Sequence, residues 1–130
     1  MAGELILIIE DNEKNLKLVR DVLQFKGYRT LDADSAEKGL ELAQAQQPDL
    51  VLMDIQLPGM DGVAALRALK ASPFTASLKV VALTAFALRE EEARIRSAGF
   101  HGYLSKPLDI RQFPTQVRLF CDTPLGQPCD

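Results

Sequence analysis

Four short runs of the chain are continuous in branched and apolar residues: residues 5–9, 50–53, 80–83 and, more weakly, 103–104. Unbroken apolar runs of this length suit strands buried on both faces of a parallel sheet, because neither face then meets water. A fifth stretch, residues 28–33, alternates apolar with polar positions and fits an edge strand. Between the runs, apolar residues recur at helical spacing. Leu16, Val19, Leu23 and Phe25 predict the inner face of a first helix, which stops at Gly27. Ser35 is placed to cap a second helix, with Ala36, Leu40 and Ala43 inward and Pro48 just beyond. Val63, Leu66 and Leu69 mark a third, after Asp61 and Gly62, and Ala93, Ile95 and Ala98 mark a fourth that ends at Gly99. A fifth begins near Asp109 and runs towards Phe120. Five alternations of strand and helix predict a doubly wound α/β sheet with right-handed crossovers.

Length and composition narrow the function. The 130 residues are enough for one core and too few for two, so residues 1–120 are expected to form a single domain. Residues 121–130 carry two prolines and a glycine and are expected to trail off as a disordered tail. A net charge of −3 offers neither a groove for nucleic acid nor a polybasic membrane surface. No apolar run approaches the roughly 20 residues of a spanning helix, and the first residues lack the basic start of a signal peptide. A cytoplasmic location is expected. Cys121 and Cys129 make no metal or redox spacing and read as free thiols. His101, the one histidine, falls on a helix–strand connection and reads as a surface residue, so no histidine-based metal centre or catalytic triad can form.

The residues that carry chemistry share one position, the C-terminal end of a strand. Glu10 and Asp11 follow the first run, Asp54 the third, Thr84 the fourth and Lys106 the fifth. In open α/β sheets that edge binds ligands where the strand order reverses, and in the order 2-1-3-4-5 the first and third strands are neighbours. An aspartate after a strand is commonly only a helix cap, but three carboxylates converging on one cleft demand a counter-ion. Carboxylate oxygens with room for water and phosphate oxygens describe a magnesium site rather than a zinc site. A divalent cation, a carboxylate, a hydroxyl and an ammonium together suit phosphoryl transfer, in which catalysis is largely positioning and charge neutralisation.

The strings LILIIEDNEKNLKLV, PDLVLMDIQLPGMDG, VVALTAFA and GYLSKPLD resemble, in order, the four signature blocks of response-regulator receiver domains of two-component systems. Within that family the chain is most similar to DivK-type single-domain regulators. The resemblance implies a (βα)5 flavodoxin-like receiver fold with a parallel five-stranded sheet in the order 2-1-3-4-5. It implies that Asp54 is the phospho-acceptor and that the domain promotes its own magnesium-dependent phosphorylation and dephosphorylation. Asp11, Asp54 and the backbone carbonyl of Gln56 would hold the magnesium ion, with Glu10, in place of the commoner aspartate, acting through water. Lys106 would pair with a phosphoryl oxygen across a cis Lys106–Pro107 bond. Thr84 would hydrogen-bond the phosphoryl group, and Tyr103 would be the switch aromatic that follows it inward. The expected partners are a histidine kinase or histidine phosphotransfer protein and a downstream protein target, with the chain a monomer or weak dimer. A receiver module excised from a hybrid histidine kinase and a non-phosphorylated pseudo-receiver stay open as alternatives.

Rival chemistries fit less well. A flavin or nucleotide site needs backbone amides from a Gly-rich or Ser/Thr-rich loop after the first strand, where this chain has Glu10 to Lys14. A phosphoaspartyl hydrolase wants a second acid two residues after its nucleophile, where this chain has Gln56. Gln56 and Phe86, each two residues beyond a site residue, are expected to rim the cleft and to govern the approach of a hydrolytic water, with a loop aromatic used for partner contacts the open alternative for Phe86.

Overall fold

The structure, a computed structural model, describes residues 3–57, 62–84 and 89–125, with residues 89–92 described by backbone alone. Asp61, Phe86 and Cys129, named above, lie outside the described residues. Strands and helices alternate as β1 (Leu5–Ile9), α1 (Glu13–Phe25), β2 (Arg29–Ala33), α2 (Ala36–Gln46), β3 (Leu50–Asp54), α3 (Gly62–Ala71), β4 (Val80–Thr84), α4 (Arg89–Ala98), β5 (Gly102–Ser105) and α5 (Phe113–Asp122). The five strands are parallel in the order β2-β1-β3-β4-β5, as expected.

The continuous apolar runs are continuous because both faces of the sheet are covered. Ile6 and Ile8 of β1 join Leu50, Leu52, Val81 and Leu83 under α1 and α5, whose Val19, Leu23, Phe113 and Val117 complete one core. Leu7 and Ile9 point the other way and meet Val51, Met53 and Val80 under α2 and α3, with Ala43, Leu66 and Leu69. Each fully buried Leu or Ile side chain contributes about 1.5–3 kcal/mol of transfer free energy, so the two cores hold the strand ends rigidly in register.

Several local expectations hold and several do not. Ser35 caps α2, its hydroxyl accepting from Lys38 N at 3.3 Å. Strand β3 runs one residue further than the apolar pattern, to Asp54, and β4 likewise to Thr84. Phe25 is 85 % exposed and not part of the inner face of α1. Ala93 is exposed, while Ile95 is buried and Ala98 packs partly buried against the core. Helix α5 starts at Phe113 rather than near Asp109, because residues 110–112 form a turn in which Asp109 Oδ1 accepts from Arg111 N at 3.0 Å. It continues to Asp122, two residues past the expected domain boundary. His101 is buried, not on the surface, and lies 3.0 Å through Nε2 from the Phe120 carbonyl of α5.

At Gly62 a Cβ atom would stand 2.6 Å from Ile55 Cα, and the Gly62 amide donates to the Ile55 carbonyl at 3.0 Å. The absent side chain lets the start of α3 close onto the backbone just after Asp54. Among the described residues, no helix is long and apolar enough to cross a membrane.

Candidate functional site

Four strand ends, those of β1, β3, β4 and β5, line the sheet edge beside the point where the strand order reverses. Register pairs Ile9 of β1 with Met53 of β3, so Glu10 and Asp54 emerge side by side, and Asp54 pairs with Leu83, one residue before Thr84. Thr84 pairs with Ser105, and the Lys106 amide donates to the Thr84 carbonyl at 2.7 Å. Lys106 is thereby aimed back across the sheet edge. Its Nζ lies 2.8 Å from Glu10 Oε1 and 2.7 Å from Asp54 Oδ2. The other Asp54 oxygen, Oδ1, accepts from the Gln56 amide at 2.8 Å. Both Asp54 oxygens are therefore held, and the carboxylate is fixed in orientation.

Asp11 is available to the same cleft because it does not cap the following helix. Asn12 does that, its Oδ1 accepting from Lys14 N at 3.0 Å and Asn15 N at 3.1 Å. Glu10, Asp11 and Asp54 each offer a carboxylate oxygen, all within 4.8 Å of one another. Glu10 is 1 % exposed and its Oε2 has no hydrogen-bond partner among the described residues. Two buried carboxylates thus share one ammonium, with a third carboxylate at the rim beside them.

The electrostatic consequence is uneven. Burial, and then the adjoining Asp54 carboxyl, push Glu10 up to about 7 against the pull of Lys106. Burial also opposes ionisation of Asp54, but hydrogen bonds from Glu10, Lys106 and the Gln56 amide outweigh it and hold Asp54 below its ordinary value. Lys106 is likewise desolvated, and the two carboxylates more than compensate, raising it. Ionisation is thus favoured at Asp54 and opposed at Glu10, the carboxyl short of positive charge. A hard divalent cation would supply that charge, a water on it could satisfy the orphaned Oε2, and an all-oxygen donor set with an exposed side fits magnesium.

The remaining expected residues gather around this centre. Thr84 is buried at 1 % exposure. Gln56 is exposed, and its backbone N–H donates to Asp54 Oδ1. Tyr103 lies one strand pair back, opposite Ala82, and packs against a small cluster of Ile55, Ala82 and Ile95. The Lys106–Pro107 peptide is cis. One contact had no signal in the sequence: the Arg96 guanidinium of α4 stands over the Tyr103 ring, 5.5 Å from its centroid.

Comparison with known proteins agrees with this geometry. Residues 6–118 match the family described as response regulator receiver domain. The chain is 40% identical to the polar-differentiation response regulator DivK of Brucella ovis over 115 residues, 88% of this chain and 94% of the relative. Among solved structures it is similar to the receiver domain of a sensor histidine kinase from Pseudomonas aeruginosa PAO1, with TM-score 0.85 and 30% identity over 93% of this chain and 99% of that one. That structure is described with a magnesium ion coordinated in its active-site cleft. Chemotaxis response regulator CheY4 of Vibrio cholerae, 21% identical with TM-score 0.85 over 91% of this chain and 98% of that one, shares the fold. Fold, cleft and sequence agree, and the chain belongs to the response-regulator receiver family, the signalling switches of two-component systems.

Proposed function

We propose that Asp54 accepts a phosphoryl group from a phosphohistidine of a histidine kinase or histidine phosphotransfer protein. The observation that carries this reading is the Lys106 ammonium bridging Glu10 and Asp54, with both Asp54 oxygens held in place. An Asp54 oxygen attacks phosphorus, a P–O bond forms as the P–N bond breaks, and the electron pair leaves on the donor imidazole. Asp11, Asp54 and the Gln56 carbonyl would hold a magnesium ion, with Glu10 behind a water. When bound, that ion neutralises charge on the transferring oxygens. Lys106 neutralises the remaining charge, and the rigid strand ends keep the nucleophile in line. The domain in this way promotes its own phosphorylation and dephosphorylation, with Gln56 at the rim where water enters.

The product adds oxygens that the Thr84 hydroxyl shifts to reach, and Tyr103 follows into the space vacated. Such coupling is a shift between two arrangements triggered by local charge. The output is recognition by a downstream protein in the cytoplasm, with the receiver unit ending where α5 does. Intact-mass measurement after incubation with an acyl-phosphate donor and magnesium tests the reading. The wild type should gain one phosphoryl group and Asp54→Asn, which keeps the volume but not the nucleophile, should gain none. A variant that gains it at the wild-type rate would remove Asp54 from the role.

A further inference from the structure

We propose that Arg96 is a positioning residue for the switch. Its guanidinium, set over the Tyr103 ring, holds that ring in its resting arrangement and so sets how readily phosphorylation moves it. The proposal rests on the reading of Tyr103 as the switch aromatic.

Arg96 sits in the last turn of α4, and the chain turns back through Gly99, at φ +99°, into β5. That return brings the Arg96 guanidinium to 5.5 Å from the Tyr103 ring centroid. The neighbouring Ile95 is buried beside Ile55 and Ala82, with Tyr103 packed on the same cluster. Ile55 directly follows Asp54, and Ala82 precedes Thr84 by two residues on β4. One ring therefore packs against residues next to the acceptor and the hydroxyl and also lies under a cation of α4. The contact is made in the arrangement in which the Lys106 ammonium bridges Glu10 and Asp54 and both Asp54 oxygens are already engaged. A contact made in one arrangement only favours that arrangement, and the trigger must overcome it.

An exposed cation–π pair is worth about a two- to fivefold bias in such an equilibrium. When the resting arrangement dominates, losing the bias tightens the apparent binding of anything that favours the other arrangement by the same factor. Lysine keeps the charge but not the planar stacking of arginine, so Arg96→Lys should fall between wild type and Arg96→Ala.

The chain has two tyrosines, so 3-fluorotyrosine labelling gives two fluorine resonances. Tyr28, buried under the Arg118 guanidinium at 5.8 Å, is an internal control for folding. Titration uses beryllium fluoride with magnesium as the phosphoryl mimic. Arg96→Ala should shift the Tyr103 resonance, leave Tyr28 in place and tighten apparent binding about threefold, with Arg96→Lys intermediate. A shifted Tyr103 with unchanged or weaker mimic binding would overturn the proposal while leaving the switch standing. A wild-type Tyr103 that ignores the mimic would instead remove the switch reading, and the proposal with it.

Discussion

The two ends of the sheet handle charge in opposite ways. At the N-terminal end, Arg118 of α5 pairs with Glu4 just before β1 and with Asp122 one helical turn on, over the ring of Tyr28. Each partner favours the charged form of the other: hydrogen bonding to Arg118 lowers Glu4, and Glu4 and Asp122 raise Arg118. These groups are partly open to water, and the arrangement asks for nothing more. At the C-terminal end, Glu10 is sealed at 1 % exposure, and three carboxylates crowd together while one ammonium pairs with two of them. There the group with the least compensation is driven towards its neutral form. Ion pairs alone therefore do not mark the working end; an uncompensated surplus of one sign does.

Removing the cation at each end should separate the two cases most sharply. Lys106→Ala strands Glu10 and Asp54 together, a loss of about 1–3 kcal/mol of unfolding free energy in metal-free buffer. Added magnesium should restore part of it. Arg118→Ala should cost about 0.5–1 kcal/mol and be indifferent to magnesium. Denaturant unfolding of both variants with and without magnesium decides this, and equal losses with equal magnesium responses would erase the contrast.

The next effect concerns the surplus itself. Asp11→Asn removes one of the three carboxylates and should weaken magnesium binding at least about tenfold, or roughly 1.4 kcal/mol. Calorimetric or fluorescence titration reads it, and an unchanged affinity would exclude Asp11 as a ligand. The smallest effect belongs to His101, whose burial lowers its pKa from the ordinary 6.5 despite the nearby Phe120 carbonyl. The stability that its neutral form contributes is present above pH 6.5 and is lost as pH falls through the lower folded value. His101→Gln should therefore lose less melting temperature than wild type between about pH 7.5 and about pH 5. Parallel slopes for the two proteins would mean that His101 does not titrate in this way.

Much of the fold was legible because a two-sided parallel sheet writes unbroken apolar runs, and β1, β3 and β4 are such runs. The cleft residues followed from topology, since they sit where those runs end, although Lys106 lies 96 residues from Glu10 along the chain. Phe25 misled for a geometric reason. It stands nine positions after Leu16, which at 3.6 residues per turn is about half a turn out of phase with the buried stripe. His101 misled because a single residue on a connection has no period to read. Its partner is the Phe120 carbonyl, a backbone group that looks the same in every sequence. The Arg96–Tyr103 contact was hidden likewise, since it depends on how the turn at Gly99 folds α4 back on β5.

Gly62 shows how far the site's demands reach into residues that do no chemistry. Any side chain at that position meets the Ile55 main chain, which has no rotamer to yield, and Ile55 is bonded to the acceptor. In a library that samples every residue at every position, position 62 should accept almost no replacement while its exposed neighbour Ala64 accepts many. A lineage that lost glycine there would have to reshape the chain after Asp54, and its divergence would appear as a coordinated change in the segment joining β3 to α3 rather than as an isolated substitution.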